Sequence, residues 1–118
     1  YAPAFNGLGL VAIAQGNADV ARTNFQKAIE ADPSEAEPML NLGLLYQVTG
    51  QDAKCVSTLE KGLIMEPCNY ELLYALFAFH MNRNDRRNAA PVIEKLSKCF
   101  PGEKVVQDMA SQFKSHQK

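Results

Sequence analysis

The fold is decided by residues 36–69, which read AEPMLNLGLLYQVTGQDAKCVSTLEKGLIMEPCN. Two apolar-rich segments of helix-forming composition flank Gly50, and Pro67 follows the second segment. Glycine readily takes the left-handed conformation that ends a helix, whereas proline cannot continue one. The stretch is therefore predicted to form two helices connected at Gly50, that is, one helical hairpin.

The same signals recur along the chain at a period of 34 residues. The positions that agree at this spacing are Leu8, Leu42 and Leu76; Gly9 and Gly43; Gly16 and Gly50; Ala21, Cys55 and Ala89; Phe25, Leu59 and Ile93; and Pro33, Pro67 and Pro101. In the third copy Phe77 replaces the small glycine and Asn84 replaces the turn glycine. Agreement at so many positions predicts three stacked repeats.

Each repeated position has a physical role. The leucines are expected to be apolar knobs of the first helix in each hairpin. Gly9 and Gly43, with small residues opposite them on the second helix, let the two helices approach closely. Gly16 and Gly50 end the first helices in the left-handed conformation, and asparagine is the next-best residue for that task.

This pattern resembles the tetratricopeptide repeat, including the closing pairs Asp32-Pro33 and Glu66-Pro67. The resemblance implies an all-α fold, a right-handed superhelical array of antiparallel helix hairpins. It covers repeats at 2–35, 36–69 and 70–101, followed by a capping helix at 103–116. Seven helices are predicted, at 2–15, 18–31, 35–49, 52–65, 70–82, 86–99 and 103–116. Residues 1–118 are interpreted as one domain, excised from a longer protein.

Local signals refine the helix ends. Ser34 and Glu37 are interpreted as a capping box that opens the third helix. Pro91 lies deep enough to predict a kink or a late helix start. The last helix is predicted to bury one apolar face, formed by Val105, Val106, Met109 and Phe113, and to expose its polar residues.

Composition argues against several classes of function. The net charge is −1, which gives no overall basic field for nucleic acid. No apolar run is long enough to cross a membrane. The charge is split, because eight acids against four bases in residues 1–68 give −4, and five acids against eight bases in residues 69–118 give +3.

The reactive side chains form no catalytic or metal-binding pattern. Cys55 occupies a core position, and Cys68 and Cys99 lie beside prolines in turns. Three cysteines with no C-x-x-C unit predict neither a disulfide nor a zinc site, and favour a reducing, cytoplasmic compartment. His80 is expected to be a satisfied core histidine, and His116 a solvated one. The chain is predicted not to be an enzyme and to need no metal and no cofactor.

The resemblance places a concave groove on the first helix of each hairpin. The residues expected to line it are Asn6, Leu10, Ile13, Asn41, Leu44, Gln47, Val48, Tyr74, Ala78, Met81 and Asn82. The set contains apolar, amide and phenol groups but no lysine or arginine. It therefore predicts a peptide of modest hydrophobicity rather than the acidic tails of chaperones.

Two functions follow from these features. The favoured one is a protein-interaction module that binds a peptide segment of another protein in the groove. The alternative is a homo-oligomeric scaffold that stacks through the first repeat, helped by the charge split. Arg83, Arg86 and Arg87 are interpreted as a solvated turn, or as a contact for an acidic partner. The Ala-rich repeats favour a bacterial source.

Overall fold

The structure, a computed structural model, describes residues 1–115. They form seven helices and no strand: α1 (Ala2–Ala14), α2 (Ala18–Ala31), α3 (Ala36–Val48), α4 (Asp52–Met65), α5 (Tyr70–Asn82), α6 (Arg86–Cys99) and α7 (Lys104–Ser115). The all-α repeat prediction is confirmed, and α2, α4, α5 and α6 have the predicted bounds. Helix α1 ends one residue earlier than predicted, α3 is one residue shorter at each end, and α7 begins one residue later. The residues left out of α1 and α3 are their caps, Gln15, Glu35 and Thr49. Residue 116 of the predicted capping helix lies outside the described residues.

The turns inside the three hairpins share one backbone geometry. Gly16, Gly50 and Asn84 all have positive φ, at 75°, 77° and 55°, as predicted from the repeat. The residue after each donates its N–H to a carbonyl five residues earlier, at 2.8 Å in all three hairpins. This bond satisfies a carbonyl that the end of the helix leaves open. The 34-residue period is therefore visible in the hydrogen bonds of the backbone.

The first two hairpins close at their glycines. A Cβ atom added to Gly9 would lie 2.4 Å from the Phe25 ring, and one added to Gly43 would lie 2.8 Å from Cδ2 of Leu59. Phe25 and Leu59 are almost completely buried. The small residues at the repeated position of the second helices, Ala21, Cys55 and Ala89, have no exposed surface. The predicted close approach of the helices is confirmed.

The backbone forms two compact units, Tyr1–Pro67 and Cys68 onwards. In the first unit α1 packs on α2, α2 on α3 and α3 on α4. In the second unit α5 packs on α6, and α6 on α7. The interpretation of the chain as one domain stays a prediction.

Leu8 is exposed, unlike the two leucines that are equivalent to it in the repeat. It is 53% exposed, whereas Leu42 and Leu76 are each 4% exposed. Leu42 lies on α3, which packs against helices on either side of it in the chain, α2 and α4. Leu8 lies on α1, which packs on α2 within the first unit. The repeat pattern assigns the same residue to both positions, but burial depends on the neighbouring helices.

The predicted capping box at Ser34 is wrong. The N-cap of α3 is Glu35, and its side chain makes no capping bond. Ser34 instead donates its hydroxyl to Asp32 Oδ1 at 2.6 Å, so its side chain is used within the preceding turn. A late start of α6 at Pro91 is also wrong, because α6 begins at Arg86 and Pro91 lies inside it. Asp85 caps α6 from before the proline and sets the earlier start.

The last helix buries only part of its predicted apolar face. Val106 and Phe113 are buried and Met109 is half-buried, but Val105 is 58% exposed. The Phe113 ring contacts the Phe77 ring, with centroids 5.9 Å apart. Adjacent residues on a helix point about 100° apart, so Val105 and Val106 cannot both face α6.

Cys68 and Cys99 form a disulfide, which the sequence analysis did not predict. Their Cα atoms are 5.6 Å apart, and Cys55 is a buried cysteine outside the disulfide. Cys68 precedes α5 and Cys99 ends α6, so the antiparallel hairpin brings the two residues to the same end. An odd number of cysteines excludes complete pairing but not one pair. The expectation of a reducing compartment therefore loses its basis.

Candidate functional site

The predicted groove residues of the first unit lie on α1 and α3, which are the first helices of the first two hairpins. Asn6, Leu10 and Ile13 are on α1, at the spacing of one helical face. Asn41, Leu44, Gln47 and Val48 are on α3. We call the surface that carries these seven residues the α1/α3 face.

A chain of side-chain hydrogen bonds joins α1 to α3 on this face. Asn41 Nδ2 donates to Asn6 Oδ1 at 3.0 Å, and Asn6 Nδ2 donates to Glu37 Oε1 at 3.3 Å. Asn6 is buried, with 9% of its surface exposed, Asn41 is half-buried and Glu37 is exposed. We call Asn6, Glu37 and Asn41 the amide chain.

The two hydrogen bonds of the amide chain use specific atoms of its three side chains. Both ends of the Asn6 amide are used by Asn41 and Glu37, so this buried side chain orients its neighbours. The Asn41 carbonyl oxygen and the second carboxylate oxygen of Glu37 take no part in these two bonds. Both atoms are acceptors, so the face is suited to N–H donors such as those of a peptide backbone.

Glu37 is a site residue that the sequence analysis missed. The residue was assigned to the capping box, which the structure does not contain. The available signal was its spacing, because Glu37, Asn41, Leu44 and Val48 follow one helical face. A carboxylate four residues before an asparagine on that face is a neighbour of it.

Exposed apolar side chains surround the amide chain. Leu10 and Ile13 on α1, and Leu44 and Val48 on α3, are each more than 40% exposed. Gln47, which precedes Val48 in the sequence, is half-buried. These side chains are therefore outside the core of the first unit and are available for contact with a partner.

The predicted groove residues of the second unit lie on α5. Tyr74 is 47% exposed, and its ring stacks on Tyr70 with centroids 6.0 Å apart. Asn82 is exposed, and Ala78 and Met81 are half-buried. Met81 also borders a small cavity of about 190 Å³ between α5, α6 and α7. The α5 surface is thus apolar with one phenol and one amide.

The arginine cluster after α5 is only partly solvated. The Arg83 guanidinium lies over the Phe79 ring at 4.8 Å, and that of Arg86 over the Phe113 ring at 4.1 Å. Arg86 also donates a hydrogen bond to the Phe113 carbonyl. Arg86 therefore links α6 to α7, and the prediction that it belongs to a solvated turn is wrong.

His80 is a core histidine, as predicted, but its Nδ1 is not satisfied. The residue is buried, and Nδ1 has no hydrogen-bond partner among the described residues. Asp85 Oδ2 lies 4.0 Å away, beyond hydrogen-bond distance. Hydrogen bonds from the Asn88 side chain and backbone lower the pKa of Asp85, assisted by the charges of His80 and Arg87. Asp85 is the N-cap of α6, so its carboxylate is engaged by the helix.

Residues 1–115 contain no cluster of three metal-ligating side chains, and none of their helices is long and apolar enough to cross a membrane. His116, which was expected to be solvated, lies outside the described residues.

Comparison with known proteins supports the repeat assignment. The family model described as tetratricopeptide repeat matches residues 2–35, the bounds predicted for the first repeat. The cellulose synthase operon protein C of Escherichia coli is 33% identical over 89 residues, which cover 74% of this chain. The chain spans about 7% of the length of that relative.

Solved structures match nearly the whole chain. The N-terminal domain of stress-induced protein-1 from C. elegans has a TM-score of 0.81 at 22% identity, covering 96% of this chain and 94% of that one. The first tetratricopeptide repeat domain of Spaghetti (RPAP3), bound to the HSP90 peptide SRMEEVD, has a TM-score of 0.78 at 16% identity. The match covers 97% of this chain and 93% of that one. The first repeat matches the tetratricopeptide repeat family model, and the solved structures share the tetratricopeptide-type helical repeat fold of the chain. Domains of this family are generally protein-interaction modules rather than enzymes.

Proposed function

We propose that this chain binds a peptide segment of another protein on the α1/α3 face. The observation that carries the proposal is the amide chain, in which buried Asn6 orients Asn41 and Glu37 among exposed apolar residues. An extended peptide would donate backbone N–H groups to the acceptors, and its apolar side chains would contact Leu10 and Leu44. The α5 surface with Tyr74 is a second contact region of the same chemical character.

The charge of the face favours a neutral or basic partner. Glu37 is its charged member, and residues 1–67 carry a net charge of −4, from eight acids and four bases. Acidic peptide side chains next to Glu37 would be repelled. The HSP90 peptide on RPAP3 ends in EEVD, so we expect this chain to bind such a tail poorly despite the shared fold.

A peptide pair tests the preference for charge. Fluorescence polarisation would compare the peptide SRMEEVD with its amide counterpart SRMQQVN on the same protein. We expect the amide peptide, which lacks the three carboxylate side chains, to bind more tightly, because it avoids repulsion by Glu37. Tighter binding of the acidic peptide would contradict the proposal.

Matched variants test the position of the site. The ligand is a peptide selected from a library of extended apolar sequences. In the protein, the double substitution Leu10→Ala, Leu44→Ala should weaken binding of this peptide by roughly tenfold or more. The control is Val20→Ala with Ile64→Ala, which truncates exposed residues on the second helices α2 and α4. Equal weakening by both pairs would show that the peptide does not bind at the α1/α3 face.

A homo-oligomeric scaffold is the second candidate function. It is favoured by Leu8 and Val11, which are each 53% exposed on α1. Light scattering over a concentration series would give the mass in solution, and Leu8→Ser with Val11→Ser would abolish an assembly through α1. A monomer at every concentration would exclude this candidate.

A further inference from the structure

We infer that the Cys68–Cys99 disulfide is a reversible oxidation site that controls the conformational stability of the α5–α6 hairpin. The bond joins the residue two before α5 to the last residue of α6, at a sequence separation of 31. The turn at Arg83–Asp85 closes the other end of the hairpin. We call the disulfide together with the adjacent Tyr70–Phe100 ring contact the clasp. The inference does not depend on the proposed peptide site.

The third hairpin differs from the first two at the position of the packing glycine and at the open end where the disulfide lies. Gly9 and Gly43 let their helices approach until a single Cβ would overlap a side chain of the opposite helix. Phe77 occupies the equivalent position in α5, and its half-buried ring contacts Phe113 of α7. Counting back 34 residues, Cys68 and Cys99 correspond to Ser34 and Met65 in the second hairpin. The hairpin that lacks the glycine contact therefore has the covalent bond.

The aromatic contact of the clasp is formed by residues that follow each of the two cysteines in the sequence. Tyr70 follows Cys68 by two residues and Phe100 follows Cys99, and their rings meet edge to face with centroids 5.6 Å apart. Tyr70 also stacks on Tyr74 of the α5 surface. Opening the disulfide would release the segments before α5 and after α6, which hold the two rings in contact. The conformational order of the α5 surface therefore depends on the clasp.

The disulfide is accessible to a reductant. Cys68 is exposed and Cys99 is half-buried. A thiolate of a dithiol reductant attacks Cys68 Sγ, forms a mixed disulfide and releases Cys99 as a thiolate, which takes up a proton. The second thiolate of the reductant then attacks the mixed disulfide and releases Cys68. Two electrons pass from the dithiol to the protein, and the dithiol becomes a disulfide.

Counting free thiols tests whether the clasp forms. Protein purified in air is alkylated with iodoacetamide in denaturant, and its mass is measured before and after dithiothreitol. We expect one alkylated cysteine before reduction, the buried Cys55, and three after it. Three alkylated cysteines without reduction would overturn the inference, because no disulfide would then exist.

Hydrogen exchange tests whether the clasp controls the hairpin. Reduction of the wild-type chain should accelerate exchange in α5 and α6 by roughly 30-fold or more, with a change below about twofold in α1–α4. In the double variant Cys68→Ser, Cys99→Ser the reductant should have no effect, and reoxidation of the wild type should restore slow exchange. Unchanged exchange in α5 and α6 on reduction would overturn the inference, even if the variant does not fold.

Discussion

The consequences of single residues are set by what lies opposite each one. Gly7 and Gly9 are two residues apart on α1, yet their surroundings differ. A Cβ added to Gly9 would lie within 3 Å of three atoms of the Phe25 ring, whereas one added to Gly7 would meet no atom within 4 Å. The first glycine is therefore replaceable, and the second is required for helix packing.

Alanine at these two positions should have opposite effects. Gly9→Ala displaces the buried Phe25 ring and should lower the free energy of unfolding by about 1–3 kcal/mol. Gly7→Ala should raise it by about 0.5–1 kcal/mol, because alanine is the better helix former. Urea unfolding followed by circular dichroism measures both. Similar destabilisation by both variants would mean that the α1–α2 contact does not decide the cost.

Asp85 should make stability depend on pH. Its pKa is lowered from the ordinary value of 3.8 by the hydrogen bonds from Asn88. The folded state thus binds the proton less readily than the unfolded state. The contribution is present above pH 3.8 and is lost as the pH falls through the lower pKa of the folded state.

The pH effect can be isolated with one substitution. Asp85→Asn keeps a capping side chain but removes the charge, so the loss of stability between about pH 5 and pH 2 should be smaller than in the wild type. Asp108→Asn, which removes an exposed carboxyl on α7, is the control. If Asp85→Asn and the wild type lose stability in parallel, the carboxylate does not contribute.

At the scale of elements, helix α7 is attached to the second unit through one residue in particular. Phe113 is buried, its ring meets Phe77 of α5, and the Arg86 guanidinium of α6 lies over it. Arg86 also donates a hydrogen bond to the Phe113 carbonyl. Ring and backbone of one residue thus join three helices, which makes α7 part of the unit rather than a solvated tail.

Truncation of that ring should release α7. Phe113→Ala removes a buried ring and should lower the free energy of unfolding of the second unit by about 3 kcal/mol, with faster hydrogen exchange throughout α7. Val105→Ala, at an exposed position of the same helix, should change stability by less than about 0.5 kcal/mol. Equal costs for both variants would contradict the observed orientation of α7.

At the scale of the whole molecule, covalent and charge properties differ between the two compact units. The disulfide lies in the second unit, and the third cysteine, Cys55, is buried in the first. Residues 1–67 carry a net charge of −4, and the remainder of the chain carries +3. A change of redox conditions therefore acts on one unit directly.

Reduction should separate the unfolding of the two units. Closing a loop of this length restricts the unfolded chain, so loss of the bond should cost the second unit about 3–4 kcal/mol. Urea unfolding in dithiothreitol should then begin earlier than in air. Tyrosine fluorescence should report the early phase, because Tyr70 is part of the clasp and Tyr74 stacks on Tyr70. Coincident curves with and without reductant would contradict the expected role of the bond.

The sequence by itself determined the repeat, because its signals act over a few residues. Gly16, Gly50 and Asn84 end helices through their own backbone preferences, and Gly9 and Gly43 mark the close contacts inside hairpins. These local rules fixed the number and order of the helices.

Only the tertiary structure decided which of the repeated positions are covered and which polar groups meet. Leu8 and Leu42 are equivalent in the repeat, but the helices packed against them differ, and so does their burial. Asn6, Glu37 and Asn41 form one hydrogen-bonded chain because the fold brings side chains of α1 and α3 within hydrogen-bond distance. Cys68 and Cys99 pair because the two ends of a hairpin meet. Burial and pairing depend on residues about 30 positions away, which no local pattern encodes.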